Sequence, residues 1–327
     1  MEEILKPVEK FVKKELIENC HLWDAEPQQF RKDTFRQIEK KLGILQLPEI
    51  DKENFISNAR GVVRLLASGC GSIAFIYAVN FAITSFLKER TSLPSGKLFI
   101  SPVIIEKDDW LFYFKREKKL SGKLDGIIAG DLGEIFFLPV ARENDERGWL
   151  LIEGTTSYSE ENSFLPGLRP LTTGRINFEN FSLKDDLLFL PQGEWFEEFK
   201  SWFLIYLIPL FSGLVENALN ISENYAKERF QGGQPIIEIP SVRRLLNSIR
   251  ATLATLNHLS SYPIKSRWIE EIRKIYISII DDAEEAILNS IQVMGGYGYM
   301  QDYRVERILR DFRSIRSIFS PLEYITE

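Results

Sequence analysis

The hydrophobic period of this 327-residue chain changes twice, near residues 97 and 194, and that double switch limits the folds open to it. Up to about residue 93, apolar residues return at three- and four-residue spacing: Ile4, Val8, Phe11, Val12, then Phe35, Ile38, Leu42. Ala59 to Leu87 is mostly apolar and rich in small residues, with Gly69 and Gly71 interrupting it, as expected of a buried helix pair. From 97 to 190 the segments LFISPVII, WLFYFK, EIFFLPVA, WLLIEG and GRINFENFSL are short, β-branched or aromatic, and separated by polar or glycine turns. No helical pattern intervenes, which predicts an antiparallel sheet. After 194 the helical period returns. Trp268 to Met294 forms one amphipathic register through Ile272, Tyr276, Ile280, Ala283, Ile287 and Ile291, and Gly295-Gly296 stops it. The expected fold is therefore α+β: an N-terminal helical domain over 1–93, a central antiparallel β domain over 94–192, and a C-terminal helical bundle over 193–327.

Composition then excludes several functions. With 41 Lys and Arg against 47 Asp and Glu, the formal net charge is −6, which offers no footprint for nucleic acid or an anionic membrane. The one dense basic run, Lys115 to Lys123, lies between two strand-like segments and reads as a solvated hairpin. Two histidines, without metal-ligand spacing, leave no metal site. Cys20 and Cys70 are too few for a disulfide framework, which fits a reducing compartment and a cytoplasmic protein. The start, MEEILKPVEKF, has no apolar signal region. The longest apolar run, Trp202 to Phe211, is too short to span a bilayer and contains Pro209.

Several segments carry more information than their period. Near the C-terminus stand Gln292-Val-Met-Gly-Gly-Tyr-Gly-Tyr299, Arg304-Val-Glu-Arg307 and Leu309-Arg-Asp311. Earlier come Tyr225-Ala-Lys-Glu-Arg229 with Gly233, Gly167-Leu-Arg169 with Arg175-Ile-Asn-Phe178, and, more weakly, Asp24 and the Leu42-Gly43 turn. Taken singly, the two glycines are a helix stop and Arg229 a surface arginine. Together, in this order, the segments resemble the acyl-CoA dehydrogenase family over roughly residues 5 to 327. The resemblance implies the family's fold and an FAD cofactor. Arg229, Gln292, Gly295, Gly296 and Glu323 fall on positions the family uses around FAD. In the family, the arginine matching Arg229 reaches the pyrophosphate of the neighbouring subunit's FAD, a contact suited to a bidentate guanidinium. The family's phenylalanine three positions on is Gly232 here.

What the resemblance leaves out is equally specific. The family removes the α-proton of an acyl thioester with a glutamate. Counting from Asp311 puts that position at Phe319, and the alternative position on the first long C-terminal helix at Phe203; Glu197 and Glu198 are the nearest carboxylates there. No counterpart of the family's flavin loop follows Ser101-Pro102-Val103, and the strand hydroxyl beside the flavin ring becomes Ile128. No catalytic residue is thereby assigned. The retained positions are those the family supplies across a dimer; the lost ones are those a subunit supplies to its own FAD. Three readings stay open. One is an oxidoreductase subunit, inactive alone and paired with a paralogous dehydrogenase. The second is a divergent flavin oxidoreductase with another base. The third is a scaffold that binds acyl thioesters or carrier proteins without FAD. A homodimer or homotetramer is expected, because the Trp202–Phe211 and Trp268–Met294 helices carry more apolar surface than one subunit covers.

Overall fold

The computed structural model describes residues 2–102, 110–154, 157–160, 165–183, 188–264 and 266–319. Its first block is helical. The α1 helix (Glu2–Phe11) passes through a π-helical turn, Val12–Leu16, into α2 (Ile17–Ala25), and α3 (Lys32–Leu42) and the single turn α4 (Leu47–Ile50) follow. The helices α5 (Phe55–Ala67) and α6 (Gly71–Leu87) are the apolar pair expected from the sequence, and every residue of α6 is buried. Buried Arg60 on α5 donates from both terminal nitrogens to the carbonyls of Leu259 and Tyr262, at 2.5 and 2.7 Å. A guanidinium there satisfies carbonyls that a helix C-terminus leaves unpaired; burial lowers its pKa to about 10.

The middle block is a sheet of eight strands: β1 (Phe99–Ile100), β2 (Leu111–Phe114), β3 (Lys119–Ile128), β4 (Ile135–Arg142), β5 (Arg147–Glu153), β6 (Ser157–Glu160), β7 (Thr173–Ser182) and β8 (Leu188–Pro191). The order is β6-β7-β3-β2-β4-β5-β8, with β1 also on β4. Most neighbours are antiparallel, but β4 pairs in parallel with β1 at Ile135–Phe136 and with β2 at Val140–Arg142. The two strands therefore lie one after the other along the same side of β4. That departure from a wholly antiparallel sheet is invisible to local period, since a strand's pattern does not encode the direction of its neighbour. The basic run occupies the exposed β2–β3 turn at Lys115–Lys118.

The last block holds α7 (Trp195–Glu228), a hairpin of β9 (Phe230–Gln231) and β10 (Gln234–Pro235), α8 (Pro240–Ser261), α9 (Ser266–Met294) and α10 (Val305–Phe319). By length and composition the 34-residue α7 could cross a membrane, but 94% of its most apolar window is buried inside the chain. It packs on α5, α6, α8 and α9. All of Trp202 to Phe211 is buried by the chain's own elements, as are Ile272, Tyr276, Ile280, Ala283 and Ile287 of α9. For Trp202–Phe211 the expectation of uncovered apolar surface for a second subunit is thus corrected, whereas on α9 Leu288 stays exposed. A long helix packed on four others needs no further cover.

Cys20 and Cys70 also depart from expectation. They are paired as a disulfide, with Cα atoms 5.6 Å apart, joining α2 to the residue that opens α6. Counting cysteines could not anticipate this, because the pairing depends on packing between helices 50 residues apart in sequence.

Candidate functional site

The two positions where the resemblance puts a base, Phe203 on α7 and Phe319 at the end of α10, meet in space. Their ring centroids lie 5.5 Å apart, and the residues are 3% and 1% exposed. They belong to a continuous aromatic run. Phe137 of β4 meets Phe199 of α7 at 5.4 Å, Phe199 meets Phe203 at 5.0 Å, and Phe319 meets Phe75 of α6 at 6.1 Å. Edge-to-face and tilted pairs at these separations stabilise beyond the area they bury. Four elements from three blocks converge here on apolar rings.

The nearby carboxylates have other partners. Glu198 accepts a hydrogen bond from Arg90 Nη2 at 2.7 Å, and Glu197 is ion-paired with Lys200. Ile128, at the end of β3 opposite Thr173, is half-buried and offers no hydroxyl. Glu323 and Val103 lie outside the described residues.

A second group of motif residues gathers at the end of α9. Arg229 follows α7 directly. Its N–H bonds the Tyr225 carbonyl and its carbonyl accepts from Ile236 N–H at 2.8 Å, which fixes the root of the β9–β10 hairpin. The turn is Gly232-Gly233, with φ of +61° and +83°. A two-residue hairpin loop of this kind requires positive φ at both positions, which gives a local reason for glycine at 232. The exposed Arg229 guanidinium lies 5.9 Å from the ring centroid of Tyr297, and no carboxylate pairs with it among the described residues. Tyr297 in turn packs with Tyr225 and Tyr303 at 6.1 and 5.2 Å. Phe230, Tyr297, Tyr299 and Met300 are all exposed here.

The three glycines of the Gln292–Tyr299 motif have different causes. Gly295 ends α9 with φ +61°, the left-handed cap conformation. At Gly298 a Cβ would sit 2.8 Å from the Ile291 carbonyl oxygen, so close approach of backbone demands glycine. Gly296 has neither cause: its φ is not positive, and a Cβ there would meet nothing within 4 Å. Gln292 is exposed on the last turn of α9. The structure therefore brings Arg229, Gly295 and Gly296 to one exposed surface, and this chain itself gives Gly296 no structural reason to be glycine.

The remaining motifs explain themselves inside the chain. Arg310 of α10 donates from Nη1 and Nη2 to the two carboxylate oxygens of Asp24 on α2, at 3.1 and 2.6 Å. Arg310 also donates to the Pro166 carbonyl at 2.8 Å and to Glu306 at 2.5 and 3.1 Å. Gly167 N–H donates to Ser314 Oγ at 2.9 Å and Leu168 N–H to Asp311 Oδ1 at 2.6 Å. A Cβ on Gly167 would fall 2.2 Å from Arg310 backbone atoms. Asp24, the 167–169 turn and Arg310-Asp311 are thus one buried clamp tying the three blocks together. Burial pushes the Asp311 carboxyl up to about 6, against the opposing pull of Arg307 and the Leu168 N–H. Sequence reading paired none of these residues with one another, because their contacts join elements far apart in the chain.

Comparison with known proteins fits this division. Residues 210–319 match the acyl-CoA dehydrogenase C-terminal domain. An acyl-CoA dehydrogenase of Bacillus subtilis (strain 168) is 35% identical over 106 residues, covering 30% of this chain and 27% of that protein. The caffeyl-CoA reductase-Etf complex subunit CarC of Acetobacterium woodii is 32% identical over 108 residues, 31% of this chain and 28% of that one. The matched segments span less than a third of these relatives' length. In fold the likeness is complete: the butyryl-CoA dehydrogenase of Megasphaera elsdenii superposes with a TM-score of 0.83 at 15% identity, over 98% of this chain and 96% of that one.

Proposed function

We propose, for a chain that belongs to the acyl-CoA dehydrogenase family by its C-terminal helices and carries that family's fold throughout, a role as an oxidoreductase subunit that is inactive alone and completes the FAD site of a catalytic homologue. The observation that carries this reading is the exposed surface of Arg229, Gln292, Gly295 and Gly296. An unpaired guanidinium beside an open glycine backbone suits phosphate oxygens, since Gly296 leaves its N–H approachable and Arg229 supplies fixed donors. The aromatic run through Phe203 and Phe319 does not suit an acyl thioester awaiting proton removal. The residues thus fit the pyrophosphate end of FAD and not the reacting end.

The chemistry FAD supplies when bound is acceptance of the β-hydride. This chain's part is to hold and orient: Arg229 and the Gly295-Gly296 backbone grip phosphate, Gln292 presents an amide, and the tyrosines around Tyr297 hold Arg229 in place. A heteromeric partner, rather than a second copy, supplies the flavin-ring side and the base. The exposed Phe230, next in sequence to Arg229, and the exposed Tyr299 and Met300 after the glycines offer apolar surface for that contact. The cytoplasmic location is kept in the same proposal, but the Cys20–Cys70 disulfide removes the cysteine argument for it. A cofactor-free scaffold for acyl thioesters or carrier proteins would leave Gly296 and the unpaired Arg229 without an explanation.

Titration of FAD, followed by its visible absorbance, tests this with the chain alone and with a co-encoded homologue. Binding is expected to be tighter in the pair, and Arg229→Ala in this chain to weaken it about ten- to a hundredfold, the range for hydrogen bonds to a charged group. Tight binding by the lone chain that Arg229→Ala leaves unchanged would contradict the assignment.

A further inference from the structure

The α2 helix has only nine residues, yet three of them fasten it to distant parts of the chain. Glu18 accepts from both terminal nitrogens of Arg304, at 2.8 and 3.0 Å. Cys20 is bonded to Cys70, the residue that opens α6. Asp24 accepts from Arg310 in the clamp. A helix this short does not persist by itself, so its fastenings decide how firmly it stays in place.

Those fastenings differ in strength and in chemistry. The Glu18 side chain is 72% exposed, and a solvated ion pair contributes little. The Asp24–Arg310 pair is buried but holds the far end of the helix. Between them the disulfide joins residues 50 apart in sequence, and it is the fastening that electron transfer can undo. Its Cα separation of 5.6 Å is ordinary for a cystine, so closing it requires no backbone movement. The Cys70 end is fixed. A Cβ on Gly69 would lie 2.9 Å from the Val12 side chain, and one on Gly71 2.8 Å from Asp311, which wedges that turn between the π-helical turn and α10. The side that gains freedom when the bond opens is therefore α2.

Arg304 carries the connection further. It follows Tyr303, which packs on Tyr297 at 5.2 Å and on Tyr225 at 5.8 Å, and Tyr297 is the ring beside Arg229. Through Glu18, α2 thus buttresses the segment 295–304 that carries Gly295 and Gly296.

We infer that the Cys20–Cys70 pair is a redox switch: oxidised, it tightens α2 and, through Glu18 and Arg304, the segment 295–304; reduced, it loosens both. A dithiol supplies the two electrons and two protons. The S–S bond breaks, Cys20 and Cys70 become thiols, and the dithiol closes to its own disulfide. Both cysteines are 1% exposed, so exchange proceeds through local opening of α2. In a reducing compartment such a pair stands open and closes on oxidation. The coupling concerns backbone order, so it holds whether or not that surface meets FAD.

Hydrogen–deuterium exchange of the full chain, with and without dithiothreitol, tests the inference, with alkylation of the cysteines reporting their redox state. Reduction is expected to speed exchange at least about tenfold over Ile17–Ala25 and 295–304, and to leave the β4–β5 ladder unchanged. The chain with Cys20→Ala and Cys70→Ala is expected to exchange at the faster rate in both segments and to ignore dithiothreitol. Glu18→Gln in the oxidised chain is expected to speed exchange over 295–304 while α2 stays protected, which separates the relay from a general loss of stability. Thiols that stay unpaired after oxidation, a reduced chain with unchanged exchange, a rise spread evenly over the fold, a response confined to α2, or a response to dithiothreitol in the chain without cysteines would overturn it.

Discussion

Acyl-CoA thioesters of any chain length are expected to survive incubation with the purified chain and a ferricenium acceptor. Removing a general base costs about 10²–10⁴-fold in rate, and both positions where the family carries one hold phenylalanine. The structure strengthens that expectation, because Phe203 and Phe319 touch one another within a run of rings that also takes in Phe199 and Phe75. Glu197 and Glu198, the carboxylates next along α7, are engaged with Lys200 and Arg90. Replacing Phe319 by glutamate is not expected to restore turnover. A carboxyl inserted among those rings would be held protonated by burial, and it would lack the dipoles that orient a base. Turnover by the lone chain at rates ordinary for the family would show that another carboxylate does this work.

The second large effect is structural. Arg310→Ala is expected to lower unfolding free energy by about 3–5 kcal/mol, the cost of removing one partner from a buried ion pair. Arg310 and Asp24 have side chains only 18% and 10% exposed, and the pair is bidentate. Losing the guanidinium leaves Asp24 with Arg169 Nη1 at 3.9 Å as its remaining cation in the clamp, and strips the Pro166 carbonyl of a donor. Pairing Arg310→Met with Asp24→Asn removes the stranded charge and is expected to recover part of the loss. Denaturant midpoints at constant slope measure both. A change below about 1 kcal/mol for Arg310→Ala, the range of a surface pair, would mean the clamp does not hold the blocks together.

The clamp also shows where sequence reading reaches and where it stops. Helix and strand periods are local, so the order of helical block, sheet and helical block was legible, as were the buried α5–α6 pair and the cap at Gly295. Partners distant in the chain were not. Nothing in the spacing of Asp24, Gly167 and Arg310 announces that they touch, and the same holds for Cys20 with Cys70 and for β4 with its parallel neighbours. Motif comparison named Phe203 and Phe319 by counting along two separate helices, but only packing reveals that they meet. It also grouped glycines that the structure separates: Gly295 and Gly298 serve the backbone of this chain, Gly296 does not. Arg307 passed as an ordinary motif residue, since the burial of a guanidinium has no signature in a single sequence. The apolar α7 misled in a different way. Its composition suggests unsatisfied surface, and the fold buries 94% of its most apolar window.

The claim that this chain finishes another subunit's FAD site, and has none complete of its own, is tested most directly by counting FAD. The co-purified assembly with a catalytic homologue is denatured, and released FAD is measured against each polypeptide. One FAD per pair of unlike chains is predicted, with none retained by this chain purified alone. Two per pair, or one per chain in the isolated protein, would contradict the account.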